Sequence, residues 1–478
     1  MDFGILSFNV TTPLAVQGLR VVYLDRISTK ARQNKDWDFD IKGYFPDKDC
    51  RIVDSRGNTM SQLFIDHHET RIGVKKELMA SKDLYHVVVT PDMDQAFVTG
   101  VITILDYIYV ESTRLQLKDF IRYGCVSKAS YAFIHNQDFI KLHLERSIKT
   151  NSTGTILLHT TPSYFFSLPF DNDEKLGTAT VVRFSIPSKD PVRETTVTVG
   201  HANGLVCIRN SIDEDMSYIA LWNPSIQKLK KIPTRTHEPR AQPSLKSEML
   251  NIYGFGYDST NDDYKIVGII RKPANEYEVS VYSLKANSWK RIQNMPCSGF
   301  SLESYSMVFS KGALSWLMWK KFHHEHQYMI VGVTLDLASE KYQEFPIPMD
   351  RIDEIETSML ELDVLGDYLC FCVNRFMNRC EAWIMKEYGV TESWSLLYSI
   401  DMLYYTLEFQ TYKPLVFSKN GKTVLLKMSK NFKSDSLVWY DLEKKSFKQV
   451  EISGLPGLFK PTICWGSLCL LDGDPVIV

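Results

Sequence analysis

Apolar and polar positions along the chain fall into three regimes. Between residues 37 and 90 they alternate. Trp37-Asp-Phe-Asp-Ile-Lys-Gly-Tyr44, Arg51-Ile-Val-Asp-Ser-Arg-Gly-Asn58, Thr59 to Ile65 and Leu84-Tyr-His-Val-Val-Val-Thr90 have the two-residue period of strands, arranged as an antiparallel meander. From Ala96 to Val110 the apolar residues run almost all round, after a Pro91-Asp92-Met93-Asp94 start whose aspartates suit a helix N-terminus. That pattern predicts a helix enclosed by protein. Leu117, Phe120, Ile121, Val126, Phe133 and Ile134 then have the spacing of short amphipathic helices. From Thr155 onward the chain reads as strands, with Asn203-Gly204 as a tight turn.

The long strand-rich region repeats itself. Tyr218-Ile-Ala-Leu-Trp-Asn-Pro-Ser-Ile-Gln-Lys-Leu-Lys-Lys-Ile-Pro233 is an apolar strand end, a polar turn and a second short strand, which together make a hairpin. The same grammar returns at 279–292, 331–342, 382–394 and 437–447, about every 50 to 60 positions, near the kelch-type blade period. One hairpin cannot bury its apolar face alone, so the series predicts blades packed around an axis in a β-propeller. Trp222, Tyr282, Trp289, Trp316, Trp383, Trp394 and Trp439 are expected to be its structural aromatics. The polar segments 234–248, 271–278, 320–327 and 375–379 are the candidate rim loops.

Composition narrows the class. At 478 residues and 44% hydrophobic, the chain is long enough for two or three domains. A net charge of −2 provides no basic field to draw in nucleic acid. Nine scattered cysteines and a start, Met1-Asp-Phe-Gly-Ile-Leu6, without a cationic stretch before an apolar core lead to the expectation of a reducing cytoplasm or nucleus. No segment reaches the roughly 18 to 20 apolar residues that cross a bilayer.

Particular motifs carry three resemblances. Phe39-Asp-Ile-Lys-Gly-Tyr44, Cys50-Arg-Ile-Val-Asp54, Tyr85-His-Val-Val-Val-Thr-Pro91 and Ala96 to Asp106 resemble the C-terminal half of a plant LURP-one-related domain. The resemblance implies a tubby-like β-barrel around a central helix, partial here over 36–112, with 1–35 unassigned. It also implies a link to defence and, through tubby relatives, to membrane phosphoinositides; Arg71, Lys75 and Lys76 are the nearby basic residues and read as a solvated face. Leu115 to Ile134, with Cys125-Val-Ser-Lys128 and Phe139-Ile-Lys-Leu-His-Leu144 in register, is similar to the second half of an F-box, truncated here to 113–150. The opening Leu-Pro helix is absent, and Ser130 stands where the family has an aromatic. This resemblance implies a Skp-type adaptor of a cullin-RING ubiquitin ligase as partner, met by Leu115, Leu117, Phe120, Ile121, Cys125, Val126 and Lys128.

Over 155–470, Gly200-His-Ala-Asn-Gly-Leu-Val-Cys-Ile208, Leu221-Trp-Asn-Pro224, Tyr253-Gly-Phe-Gly-Tyr-Asp258 and Gly312-Ala-Leu-Ser-Trp-Leu317 resemble the plant F-box-associated domain of kelch-like type. That resemblance implies a non-catalytic receptor for a protein substrate. The expected whole is mainly β: a C-terminal propeller, an N-terminal partial tubby-like barrel and a short helical F-box remnant between them. Half of one domain abutting half of another also reads as a gene fusion or a chimeric gene model.

Candidate chemistry is thin. His323-His-Glu-His326 and Asp66-His-His-Glu69 have metal-ligand residue types without a spacing that fixes geometry, and read as surface loops. Cys370 and Cys372 share a strand face, with Cys380 downstream, and read as core packing. Gly254-Phe-Gly256 is a turn rather than a dinucleotide fingerprint, and neither a nucleophile elbow nor a P-loop occurs, so no cofactor is expected. Two further readings stay open beside the receptor: a lipid-binding or defence protein of tubby-like type, and a propeller enzyme.

Overall fold

From residue 117 on, the computed structural model describes all residues except 126–130, 132–133, 151–153, 161–163, 171–175, 183–194, 212–217, 234–251, 272–276, 296–299, 303–306, 322–327, 350–357, 376–378, 402–409, 470 and 472–478. Ahead of 117 it describes the backbone of six strands. Two compact units result, one of residues 1–153 with 466–468 and one of 154–465 with 469–478.

In the first unit, β1 (Ile5–Asn9), β2 (Arg20–Val21), β3 (Phe39–Tyr44), β4 (Asp49–Asp54), β5 (Thr59–Phe64) and β6 (Leu84–Val89) form one sheet in the order β1-β6-β5-β4-β3-β2. The predicted meander is β3 to β6. The sheet also takes in two strands from the stretch left unassigned: β1 pairs with β6, Ser7 opposite His86, and β2 pairs with β3. Two or five residues carry too few alternations to announce a strand. The predicted helix over 96–110 lies outside the described residues.

Helices α1 (Leu117–Gly124) and α2 (Gln137–Thr150) follow. They meet through buried Phe120, Ile134 and Phe139, with the Phe120 and Phe139 rings 5.7 Å apart and the His143 ring edge-on to Phe120 at 5.1 Å. Asn136 accepts a hydrogen bond from the Phe139 amide at 3.3 Å, capping α2.

The second unit is a propeller of six sheets. Blade one begins with β7 (Gly154–Thr160), β8 (Tyr164–Pro169) and β9 (Thr180–Val182). Blade two is β10 (Thr195–Ala202), β11 (Leu205–Ser211), β12 (Tyr218–Asn223) and β13 (Lys228–Lys231). Blade three is β14 (Ile252–Asp258), β15 (Asp263–Arg271), β16 (Tyr277–Ser283) and β17 (Ser288–Arg291). Blade four is β18 (Phe300–Leu302), β19 (Val308–Ser310), β20 (Ala313–Lys321), β21 (Tyr328–Asp336) and β22 (Tyr342–Pro346). Blade five is β23 (Ser358–Leu365), β24 (Tyr368–Arg375), β25 (Arg379–Met385) and β26 (Trp394–Asp401). Blade six is β27 (Gln410–Phe417), β28 (Thr423–Lys430), β29 (Ser434–Asp441) and β30 (Ser446–Gln449). The last strand, β31 (Lys460–Trp465), returns to blade one and pairs with β7, Ile463 opposite Ile156.

Each of the five sequence repeats lands on the third strand, outer turn and fourth strand of one blade, from blade two to blade six. In four of the five, blades two, three, four and six, the turn has a common mechanism. Its first residue accepts from backbone amides: Asn223 from Ser225 at 2.9 Å, Ser283 from Ala286 at 2.9 Å, Asp336 from Ser339 at 2.6 Å and Asp441 from Lys444 at 2.8 Å. A residue at positive φ then closes it: Gln227, Asn287, Glu340 and Lys445, all between 50° and 56°. The repeat count of five is one short of the blade count. Blade one combines both ends of the domain, and its third and fourth strands are joined through Phe170 to Ala179 instead of a tight turn, so no sixth repeat is visible in the sequence.

Candidate protein-interaction site

Successive links in an antiparallel blade alternate between the two faces of the ring. First-to-second and third-to-fourth links are the tight ones, such as Asn203-Gly204, where Asn203 takes φ 52° and Gly204 φ 78°. Second-to-third and fourth-to-first links belong to the other face. The strand ends joined by 234–248, 271–278, 320–327 and 375–379 all lie there, so the four rim segments chosen from the sequence share one face, although most of their residues lie outside the described ones.

Five exposed apolar side chains lie at the same ends. Tyr164 opens β8, Met329 and Met359 stand second in β21 and β23, Phe432 occupies the β28–β29 turn and Leu458 precedes β31; all are exposed, Tyr164 by 60% and Phe432 by 54%. Phe432 and its neighbour Asn431 both have positive φ, 54° and 50°, a conformation bulky residues rarely adopt. Asp435 fixes this corner. It accepts from the Phe459 amide at 2.8 Å, pairs with Lys427 at 2.9 Å and donates its own amide to Gly457 at 2.7 Å.

The inner strands carry an ionic array. Glu361 and Asp363 in β23 grip the Lys413 ammonium in β27 at 2.5 and 2.6 Å. Burial alone disfavours that charge, but Asp363 and then Glu361 hold the Lys413 pKa well above its usual range. His201 of blade two is opposite in the ring to Asp363 of blade five. Desolvation lowers its pKa, Asp363 opposes that and Lys413 adds to it. Lys460 of β31 reaches the Thr198 carbonyl of β10 at 3.4 Å. Blades five, six, one and two therefore meet around these five side chains. Sequence reading missed them; the available signal was charge inside otherwise apolar strands, as in Leu360-Glu-Leu-Asp363 and Tyr412-Lys413-Pro414.

The predicted aromatics divide into two groups. Trp222, Tyr282, Trp316 and Trp439 are fully buried between blades, and Trp383 is partly buried beside Phe371 and Leu369. Trp289 and Trp394 open fourth strands and reach back to the preceding blade, donating to the Pro233 and Pro346 carbonyls at 2.7 and 3.2 Å. Tyr342 does the same to Gln293 at 3.1 Å. Blade six has Phe447 at this position, which stacks on Tyr412 instead.

Of the residues expected to face an adaptor, Leu115, Val126 and Lys128 lie outside the described ones. Leu117 and Ile121 are half-buried and Cys125 is exposed. Phe120, with 1% of its surface exposed, packs into the helical core because the α1 stripe that carries it faces α2. The motifs at 66–69 and 323–326 are likewise outside the described residues. Cys370 and Cys372 place their sulfurs 3.8 Å apart in a core cluster with Cys380. Burial pushes the Cys380 thiol up to about 12, and the neighbouring Cys370 thiol, then burial, raises Cys372. These sulfurs stay protonated and act as small apolar groups.

Residues 158–469 match the F-box associated beta propeller domain, and residues 6–106 match the LURP-one-related family. The F-box protein CPR1 of Arabidopsis thaliana is 29% identical over 375 residues, covering 75% of this chain and 86% of its own. No stretch beginning at 158 covers 75% of the chain, so that similarity extends into the residues ahead of the propeller. Protein LURP-one-related 6 of the same plant is 53% identical over 75 residues, 16% of this chain and 33% of the relative. Among solved structures, TolB from Acinetobacter baumannii superposes with a TM-score of 0.38 at 10% identity, over 69% of this chain and 73% of that one.

Proposed function

Because the chain belongs to the F-box associated β-propeller family, we propose that it is a substrate-receptor subunit of a cullin-RING ubiquitin ligase of the SCF type. The observation that carries this reading is the similarity to a plant F-box protein that runs from the propeller back into the residues before it. In this reading α1 and α2 dock on a Skp-type adaptor, the face of long links holds the target protein, and transfer of ubiquitin is performed by an enzyme bound elsewhere in the assembly. A ring of blades locked to one another by aromatic side chains suits that task, since it presents variable loops on a fixed frame. The test is retention of a purified Skp-type adaptor by the full chain. Binding at micromolar concentration is expected, and its absence there would overturn the receptor role.

A second reading rests on the N-terminal match and its 53% identity over 75 residues. It makes the first unit a tubby-like module that meets a membrane through phosphoinositide headgroups. Co-sedimentation of the full chain with phosphatidylcholine vesicles, with and without phosphoinositide, decides it: equal sedimentation in the two removes the reading.

A further inference from the structure

Three lysines stand together at the seam between blades six and one, and they differ in their counter-ions. Lys413 has two carboxylates, within 2.5 and 2.6 Å. Lys427 has Asp435 at 2.9 Å. Lys460 has no carboxylate within ion-pair distance among the described residues, and its ammonium reaches only the Thr198 carbonyl at 3.4 Å, beyond the usual length of an N–H···O bond. Lys460 is exposed, so water reaches it. Partial desolvation first, then Lys413, lower its pKa, more than Glu361 and Asp363 raise it. Nearby His159 is held neutral, its pKa lowered to about 4 by burial and by Lys460 itself, and supplies no negative charge.

Position adds to chemistry. Lys460 is the first residue of β31 and therefore sits at the end of the channel on the face of long links. Leu458, two residues earlier and half exposed at 49%, is held in place by the bond from the Phe459 amide to Asp435. Met359, exposed by 42%, shares the β23 side that carries Glu361 and Asp363. Lys460 is thus a cation without an ion-pair partner among the described residues, two residues from exposed Leu458 and on the same rim as exposed Met359.

We propose that this channel mouth receives an acidic side chain of the recruited protein, with the Lys460 ammonium as its counter-ion and Leu458 and Met359 as contacts for an adjoining apolar residue. The inference rests on the receptor reading and specifies the chemistry of what is received. A carboxylate there completes an ion pair for a lysine that has none among the described residues.

The experiment selects peptides from a random displayed library on the full chain, in parallel with Lys460→Met and Lys460→Arg. The wild type should enrich Asp or Glu beside an apolar residue. Affinity for the best peptide should fall at least about tenfold in Lys460→Met and be largely kept in Lys460→Arg. Changing the peptide acid to its amide should weaken wild-type binding by a similar factor and leave Lys460→Met binding unchanged. The amide peptide keeps the test decisive even if a lysine variant folds poorly. Enriched peptides that ignore both changes would overturn this inference and leave the receptor role standing. Failure of the wild type to enrich any peptide would count against the receptor role of this face as well.

Discussion

Replacing Lys413 by Met should destabilise the propeller more than any other single charge removal within the channel. The substitution preserves the length of the side chain and leaves Glu361 and Asp363 facing each other without the ammonium that now lies 2.5 and 2.6 Å from them. Breaking a buried pair from one side costs about 3–5 kcal/mol. The Lys413 side chain is 18% exposed, but those of Glu361 and Asp363 are 40% and 25% exposed, and solvent screening reduces the Glu361 share most, so about 2–3 kcal/mol is expected. Urea unfolding of the full chain, followed by tryptophan fluorescence, should show a lowered midpoint at an unchanged slope. Adding Glu361→Gln and Asp363→Asn to the same chain should restore most of the loss, because the stranded charges leave with the lysine. A Lys413→Met midpoint equal to wild type, or no recovery in the triple variant, would refute the view that this array ties blades five and six together.

Trp289→Phe keeps the ring and deletes the 2.7 Å bond to Pro233, so it should cost about 0.5–1.5 kcal/mol; no change in the urea midpoint would show that the inter-blade bond contributes nothing. Gly332→Ala places a methyl 2.1 Å from the Phe345 ring, which crosses the backbone from the paired strand; a loss of about 1–3 kcal/mol is expected, and a neutral melting temperature would contradict that packing. His143 and His159 both have pKa values lowered from 6.5 to about 4 by burial, so the unfolded chain binds their protons more readily. Their contribution is complete above pH 6.5 and is lost as pH falls toward 4, by about 2 kcal/mol each at pH 5. His159→Phe should flatten the propeller's melting temperature between pH 7 and 5; an unchanged slope would assign the acid sensitivity to other groups.

The propeller was legible because its outer hairpins write their geometry into local sequence. An acceptor at the first turn position, a residue able to take positive φ four places later and a bulky opening to the next strand recur together, and each has a local cause, as Asp441, Lys445 and Phe447 show. Blade one was illegible because its pairing, Ile156 with Ile463, joins positions some three hundred residues apart, and nothing local records it. The same holds for the ionic array. Glu361 and Lys413 look like ordinary charges until four blades bring them to one axis. Short β1 was missed for lack of length, and the inward turn of Phe120 because helical spacing shows a stripe without showing what it faces.

The pairing of β31 with β7 has a consequence for how the molecule is made. Until the ribosome has released residues 460–465, the edge of β7 has no partner and the ring stands open beside five finished blades. A message cut short between β30 and that strand would yield a nascent product with nearly all of its hydrophobic interior assembled and one raw strand edge on offer to any neighbour. Closure of the ring is thereby coupled to solubility, and β31 acts as the inspection step for everything translated since Gly154.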